Sequence, residues 1–233
     1  MSKKILILGR SGSGKSSSLR NFKEGEVGVI SVQGKELPFR TDLAMYTPKL
    51  TQLDNGTVVP HKYAGVMAAL KKAGQGNSPK VMVVDDAGYL MSDEFMKRSN
   101  EKGYDKFTQI ADHFYTLLDE AGNLPDDVTV YFIMHTELDS DGYEKPKSIG
   151  KLLDEKIVIE GLFTTVLKAT NTEGKYVFQT RTNGSDCVKS PFDMFKDAEV
   201  PNDLKLVDQT IREYYGMPIP YKTNKETNKE AGK

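Results

Sequence analysis

The stretch Gly9-Arg10-Ser11-Gly12-Ser13-Gly14-Lys15-Ser16 follows directly after the apolar run KKILIL, residues 3–8. The run is short and rich in β-branched residues, which predicts a buried strand. The next eight residues match the P-loop pattern G-x-x-x-x-G-K-S. Its glycines allow positive φ angles and close approach of the backbone to a ligand. The stretch therefore predicts a strand–loop–helix unit whose backbone N–H groups surround phosphate groups.

Each residue type in this loop has a predicted role. Lys15 supplies a positive charge to the β- and γ-phosphates and is the first candidate catalytic residue, while the Ser16 hydroxyl can ligate Mg²⁺. A helix beginning with residues 17–22 would direct its positive N-terminal end at the phosphates. The predicted nucleotide-binding residues are Gly9, Arg10, Ser11, Gly12, Ser13, Gly14, Lys15, Ser16 and Ser17.

Composition is that of a single cytoplasmic domain. The chain has 233 residues and a net charge of −1, so nucleic acid would need a local basic patch rather than a global field. Cys187 is the only cysteine, which excludes an intrachain disulfide and argues against structural zinc. The apolar run near the N-terminus is too short for a signal peptide or a membrane span. We assign residues 1–220 to one domain and predict a disordered polar tail at 221–233.

A second motif, this one acidic, follows about seventy residues after the P-loop pattern, a spacing typical of nucleotide-binding chains. Residues 27–32 read as another buried strand, and residues 62–73 as an amphipathic helix. The run VMVVDD then ends in Asp85 and Asp86, which fits the Walker B pattern. Asp85 would hold Mg²⁺ together with Ser16 at the carboxyl edge of a parallel sheet. Two roles stay open for Asp86: the base that polarises the attacking water, or a helix N-cap.

The next strand also ends in polar residues. A helix is predicted at 105–121 and a central strand at 128–134, which ends at His135 and Thr136. These side chains could sense a γ-phosphate or orient water; otherwise His135 caps the strand and binds backbone. Residues 138–148 read as a mobile loop.

In the last third of the chain, apolar and polar residues alternate with a period of two. Segments 163–170 and 175–180 flank a turn and predict a β-hairpin, and 201–215 reads as a helix. Five cations outside the P-loop are candidates for contacts with DNA or a neighbouring subunit, or are simply solvated: Lys145, Lys147, Lys151, Arg181 and Lys189.

Together these motifs resemble the RecA-like ATPases of bacteriophages, often described as phage nucleotide-binding or AAA-type proteins. The resemblance covers about residues 3–195. It implies an α/β fold with a RecA-like, mostly parallel sheet flanked by helices and a C-terminal β-hairpin. It also implies ATP and Mg²⁺ as ligands and hydrolysis to ADP and phosphate in the host cytoplasm. Some relatives act in single-strand annealing and recombination, which implies single-stranded DNA and a ring or filament of identical subunits.

One position departs from the family pattern. RecA-like relatives often carry a catalytic Glu just after the strand that follows the P-loop helix, where this chain has Gln33. Glutamine can orient water but cannot accept a proton. The base would then be Asp86 or Glu36.

Three other functions compete with a DNA-linked ATPase. A nucleotide-gated binding module with little hydrolysis would explain Gln33. A GTPase would explain the D-x-x-G at 85–88, but no guanine-reading N-K-x-D follows the strand at 128–134. A nucleotide kinase would gather several arginines, whereas the six arginines here do not cluster in sequence.

Overall fold

The P-loop segment lies at the carboxyl edge of an eight-stranded sheet in a computed structural model, which describes residues 1–52, 58–59, 61–150 and 152–222. The strands are β1 (Lys3–Leu8), β2 (Gly28–Ser31), β3 (Met45–Tyr46), β4 (Thr51–Gln52), β5 (Val58–Val59), β6 (Val81–Asp85), β7 (Thr129–Met134), β8 (Thr136–Leu138), β9 (Glu144–Pro146), β10 (Thr165–Thr172), β11 (Lys175–Gln179) and β12 (Glu199–Pro201). The α-helices are α1 (Tyr63–Leu70), α2 (Tyr89–Lys97), α3 (Asp105–Gly122) and α4 (Leu204–Tyr215). Shorter helical segments are Ser16–Asn21 and Ile159–Leu162, both 3₁₀, and a π-helical turn at Leu152–Ile157.

The main sheet has the order β12-β11-β10-β1-β7-β6-β2-β3. The strands from β10 to β3 in this order pair in parallel. β11 pairs antiparallel with β10, and β12 pairs antiparallel with β11. The prediction of an α/β fold with a mainly parallel sheet is confirmed. The C-terminal hairpin is confirmed too, although β10 continues to Thr172, so the turn shortens to Glu173 and Gly174, both at positive φ.

Helical segments cover both faces of this sheet. Leu6 and Leu8 of β1 belong to the core that contains α1, α2 and α3. Ile5 and Ile7 of the same strand belong to the core formed with α4 and the 3₁₀ segment. Burial on both faces explains why the central strands read as continuous apolar runs rather than as alternating ones.

The strand order places a crevice next to the P-loop. The connection from β1 crosses the sheet towards β2, whereas the connection from β7 crosses in the opposite direction towards β10. Because β1 and β7 are neighbours, their carboxyl ends flank a topological switch point, the usual place for ligands in open α/β sheets. β6, which ends in Asp85, is the next strand after β7.

Several predicted elements differ from the structure. The helix after the P-loop is a six-residue 3₁₀ segment, because its serines compete for backbone groups: the Ser18 hydroxyl donates to the Lys15 carbonyl at 2.6 Å. α2 was not predicted at all. The predicted loop at 138–148 is largely a hairpin of β8 and β9.

A buried polar network joins α4 to the amino-terminal end of the sheet. Asp208 accepts hydrogen bonds from Thr129, Tyr131, Arg212 and Tyr221 at 2.6–2.8 Å. Arg212 and Asp208 are both fully buried. Tyr221, which the sequence placed in the disordered tail, is therefore part of the folded domain; residues 223–233 lie outside the described part of the chain.

None of the helices in the described ranges is both long enough and apolar enough to cross a membrane.

Candidate functional site

The P-loop has a backbone that only glycine fits well. Gly9, Gly12 and Gly14 have φ angles of +154°, +76° and +94°. A Cβ atom on Gly9 would lie 2.5 Å from the Ser13 hydroxyl oxygen, and one on Gly14 would lie 2.7 Å from the ring of Tyr176. Both the dihedral angles and the space around them therefore require glycine at these two positions.

Lys15 lies across the mouth of the loop. It is 7 % exposed, and its Nζ donates to the carbonyl oxygens of Gly9 and Arg10, both at 2.8 Å. Burial lowers the pKa of Lys15, while the carboxylates of Asp86 and Asp85 act in the opposite direction. An anion placed at this mouth would give the buried ammonium a direct charge partner.

Ser16 and Asp85 meet directly. The Ser16 hydroxyl lies 3.1 and 2.9 Å from the two carboxylate oxygens of Asp85. This contact joins the segment after β1 to the end of β6, across the intervening strand β7. Burial, followed by the charge of Asp86, raises the pKa of Asp85.

The paired hydroxyl and carboxylate suit a small hard cation. Mg²⁺ prefers oxygen ligands and is commonly held by one or two carboxylates together with phosphate oxygens and water. Within the described residues, no group of three or more His, Cys, Asp or Glu side chains could form an all-protein metal cage. Ser16 and Asp85 are the residues of this site that could hold such a cation.

Asp86 follows β6 in a left-handed conformation, with φ +59°. Its Oδ2 accepts a hydrogen bond from Lys35 Nζ at 2.9 Å, and its Oδ1 lies 3.4 Å from His135 Nε2. α2 begins after Gly88 without a side-chain cap, so the helix N-cap predicted as one role for Asp86 is not observed. The carboxylate instead lies between the Lys35 ammonium and the His135 ring.

Gln33 and Glu36 do not join this group. Gln33 Nε2 donates to the Asp93 carboxylate of α2 at 3.1 and 3.2 Å, and Lys62 holds the same carboxylate at 2.7 Å. Glu36 is exposed and makes no hydrogen bond or ion pair with any other described residue. Of the two candidate bases, Asp86 is the one whose side chain contacts His135.

His135 and Thr136 have separate partners. Burial, and then the charge of Lys15, lower the pKa of His135 below its ordinary value, so the ring is neutral near pH 7. The side chain of His135 contacts Asp86 rather than a backbone group. Thr136 donates to the Glu144 carboxylate at 2.7 Å.

Glu144 is the centre of a charge cluster that was not predicted. Besides Thr136, it contacts Lys168 at 3.1 Å and Arg10 at 3.7 Å, and Lys168 contacts the buried Asp186 at 2.5 Å. The cluster ties the tip of the P-loop to β9 and β10. One signal in the sequence could have revealed it: Lys168 interrupts the apolar run of β10, and a buried lysine needs an acidic partner.

The candidate DNA or subunit contacts are dispersed. Arg181 donates to the Phe195 and Lys196 carbonyls of its own chain at 3.0 and 3.2 Å. Lys189 is exposed, with its backbone paired to Val166. Lys145 lies half-buried on β9, and Lys151 falls outside the described residues.

Lys147 is the exception, because it lies near the P-loop. It shares the wall of a cavity of about 520 Å³ with Arg10, His135 and Tyr89. A second cavity, of about 420 Å³, lies between Ser11–Ser13 and the end of β10. The crevice therefore has room for ligands on both sides of the loop tip.

Comparison with protein-family models gives no matching family, and comparison with curated proteins gives no match.

Proposed function

We propose that this chain is a P-loop protein that binds ATP with Mg²⁺ and hydrolyses it to ADP and phosphate. The observation that carries the proposal is the contact of Ser16 with both carboxylate oxygens of Asp85. A P-loop serine and a Walker B aspartate have to meet at one point to share a metal ion. The switch-point crevice above β1 and β7 supports the same placement.

The loop supplies the phosphate contacts. Positive φ at Gly12 and Gly14 is a backbone conformation found in anion-binding nests of amide groups. Lys15 would exchange its two carbonyl acceptors for phosphate oxygens. Ser16 and Asp85 would hold Mg²⁺, which neutralises charge on the β- and γ-phosphates when bound.

Asp86 is the proposed general base. The oxygen of a water molecule attacks the γ-phosphorus as the bond to the ADP oxygen breaks, and the proton of that water passes to the Asp86 carboxylate. Lys35 and His135 hold this carboxylate at the crevice, whereas Gln33 is bonded to Asp93. Glu36 is the alternative base.

Work on single-stranded DNA is the cellular role that we propose, on the strength of the resemblance to phage RecA-like ATPases. Lys147 supports it, since this exposed cation borders the same cavity as Arg10 and His135. A strand bound there would touch the wall of the nucleotide crevice. A nucleotide-gated module with little turnover is the second candidate, and Gln33 is the residue that favours it.

Calorimetric titration with ATP and Mg²⁺ tests the binding proposal. Lys15→Ala should weaken ATP binding by about ten- to a hundredfold, because it removes a charge-assisted contact worth about 1.5–3 kcal/mol. Lys72→Ala, which changes an exposed lysine at the end of α1, is the matched control. Equal affinity for ATP in the wild type and Lys15→Ala would refute the proposal.

Turnover measurements distinguish the candidate bases. Asp86→Asn should lower the hydrolysis rate by about a hundredfold or more while ATP still binds, because the variant keeps the shape of the side chain but accepts no proton. Glu36→Gln should leave the rate unchanged. The opposite pattern would move the base to Glu36, and a wild-type rate no higher than that of either variant would favour the binding module.

A further inference from the structure

Lys35 makes a contact that neither the P-loop pattern nor the Walker B pattern includes. It follows the turn at Val32 and Gln33 after β2, and its Nζ donates to Asp86 Oδ2 at 2.9 Å. The ammonium also lies 5.2 Å from the centre of the Tyr89 ring. The side chain is 61 % exposed, so it is held at its tip and has room to move.

The electrostatics of the crevice place this ammonium near the phosphate-binding groups. Its charge contributes to lowering the pKa of both Lys15 and His135. The hydrogen bond to Asp86 raises the pKa of Lys35 itself, so this residue is positively charged at neutral pH. Lys15 and Lys35 thus flank the two aspartates.

The contact conflicts with the proposed chemistry. A general base has to contact water, yet one oxygen of the Asp86 carboxylate is occupied by a cation. A γ-phosphate carries more negative charge than a carboxylate does, and it would enter the space between Lys15 and Asp86. The γ-phosphate is therefore a stronger attractor for Lys35 than Asp86 is, and it repels an unshielded carboxylate.

We propose that Lys35 is the residue that recognises the γ-phosphate: it pairs with Asp86 in the nucleotide-free protein and transfers to a γ-phosphate oxygen when ATP binds. This inference rests on the proposed ATP-binding function. The transfer frees Asp86 to contact water only when a γ-phosphate is present. ADP lacks that group, so Lys35 stays on Asp86 in the ADP complex.

Such a cation would act within its own subunit. Arg181, one of the candidates for a contact with a neighbouring subunit, is hydrogen-bonded to carbonyl groups of its own chain. Lys35 needs no neighbour, because the turn after β2 brings it to Asp86 directly. The same protomer would then bind the nucleotide and detect its third phosphate.

An ordinary surface ion pair gives a different expectation. Exposed pairs of this type contribute little to stability and have no reason to distinguish one nucleotide from another. The ratio of ATP affinity to ADP affinity therefore separates the two roles, because it cancels any general damage to the phosphate site.

The experiment is calorimetric titration of the wild type, Lys35→Met, Lys35→Arg and the control Lys72→Met with ATP and with ADP, both in Mg²⁺. Lys35→Met should weaken ATP binding about tenfold or more and leave ADP binding within about twofold. Lys35→Arg should keep most of the preference for ATP, since it keeps the charge. Lys72→Met should behave as the wild type.

One result would overturn the inference while the proposed function stands: an unchanged ATP-to-ADP affinity ratio in Lys35→Met, whether neither affinity falls or both fall equally. If the wild type binds neither nucleotide, the proposed function fails first and the inference fails with it. Thermal unfolding of each variant without ligand verifies that Lys35→Met is folded.

Discussion

Asp85 combines two opposing requirements in one side chain. In the proposed role it has to be ionised to hold Mg²⁺, yet it is 8 % exposed and lies beside Asp86. Burial and that neighbouring charge raise its pKa. A carboxyl group whose pKa is raised on folding binds its proton more readily in the folded chain. Stability then falls as the pH rises from the unfolded value, about 3.9, through the raised folded value.

Asp85→Asn should therefore stabilise the ligand-free protein at neutral pH and abolish its Mg²⁺-dependent nucleotide binding. Asparagine keeps an oxygen that can accept a hydrogen bond from the Ser16 hydroxyl, so the geometry of the loop is preserved. Calorimetric unfolding at pH 7 measures the first effect, and ATP titration with and without Mg²⁺ measures the second. Asp126→Asn, an exposed carboxylate, is the control. A lower midpoint of unfolding for Asp85→Asn would contradict this account.

Individual residues of such a site differ in how well the sequence alone identifies them. The residues from Gly9 to Ser16, together with Asp85, could be proposed as one site from their spacing along the chain, and the structure brings Ser16 and Asp85 into contact. The pairs Lys35–Asp86 and Glu144–Lys168 were missed, because each joins residues that only the tertiary fold brings together. Asp86 was recognised as a candidate, but neither of its partners could be assigned from sequence.

At the scale of elements, the buried ion pair of Arg212 and Asp208 links α4 to β7. Arg212 lies entirely inside, where it contacts Asp208, Thr129 and the carbonyl oxygens of Lys80, Asp127 and Pro218. Removing one partner of such a pair leaves an uncompensated buried charge. The pair lies near Thr129, at the amino-terminal end of β7, whereas the P-loop crevice is at the carboxyl end.

Arg212→Met should lower the free energy of unfolding by about 3–5 kcal/mol, because Asp208 loses its charge partner. Urea denaturation followed by circular dichroism provides the measurement. Glu213→Gln, at the exposed neighbouring position on α4, should change stability by less than about 0.5 kcal/mol. Below the unfolding transition, ATP affinity should be retained, so a lost affinity with unchanged stability would show that the network supports the crevice instead.

Elements also differed in how well sequence predicted them. The predicted runs at 81–86 and 128–134 match β6 and β7 to within a residue, because continuous apolar runs are strong signals. α2 was overlooked, since its charged residues and short length obscure the apolar period. The 3₁₀ segment at Ser16–Asn21 was predicted as a regular helix, because the sequence pattern does not show which backbone groups the serines occupy.

At the scale of the whole molecule, the fold class was predictable and the strand order was not. Apolar runs alternating with helical periods indicate a parallel sheet, but nothing in the sequence states that β7 lies between β1 and β6. That order decides that His135 and Thr136 lie between the P-loop and Asp85. Strand order depends on which long-range pairings give the lowest free energy, and this is not encoded in local pattern.

Assembly on single-stranded DNA is a prediction at the same scale. ATP, Mg²⁺ and an oligonucleotide together should raise the mass measured by light scattering, as expected for a ring or filament. Lys147→Ala should reduce the salt slope of oligonucleotide binding by about 0.7, the value for one lost contact with a single strand. Lys72→Ala should leave the slope unchanged. A constant monomer mass without affinity for DNA at low salt would limit the function to nucleotide binding.

The two outermost strands of the main sheet restrict how copies of this chain can associate. β3 is two residues long, and β12 is three residues long and ends in Pro201, which has no amide hydrogen to donate. Neither of these edge strands has a long row of free backbone N–H and C=O groups with which another chain could extend the sheet. Copies that assemble as proposed would therefore meet through side-chain surfaces, and such contacts could be made and released with each turn of the proposed nucleotide cycle. A continuous intermolecular sheet would be far harder to take apart.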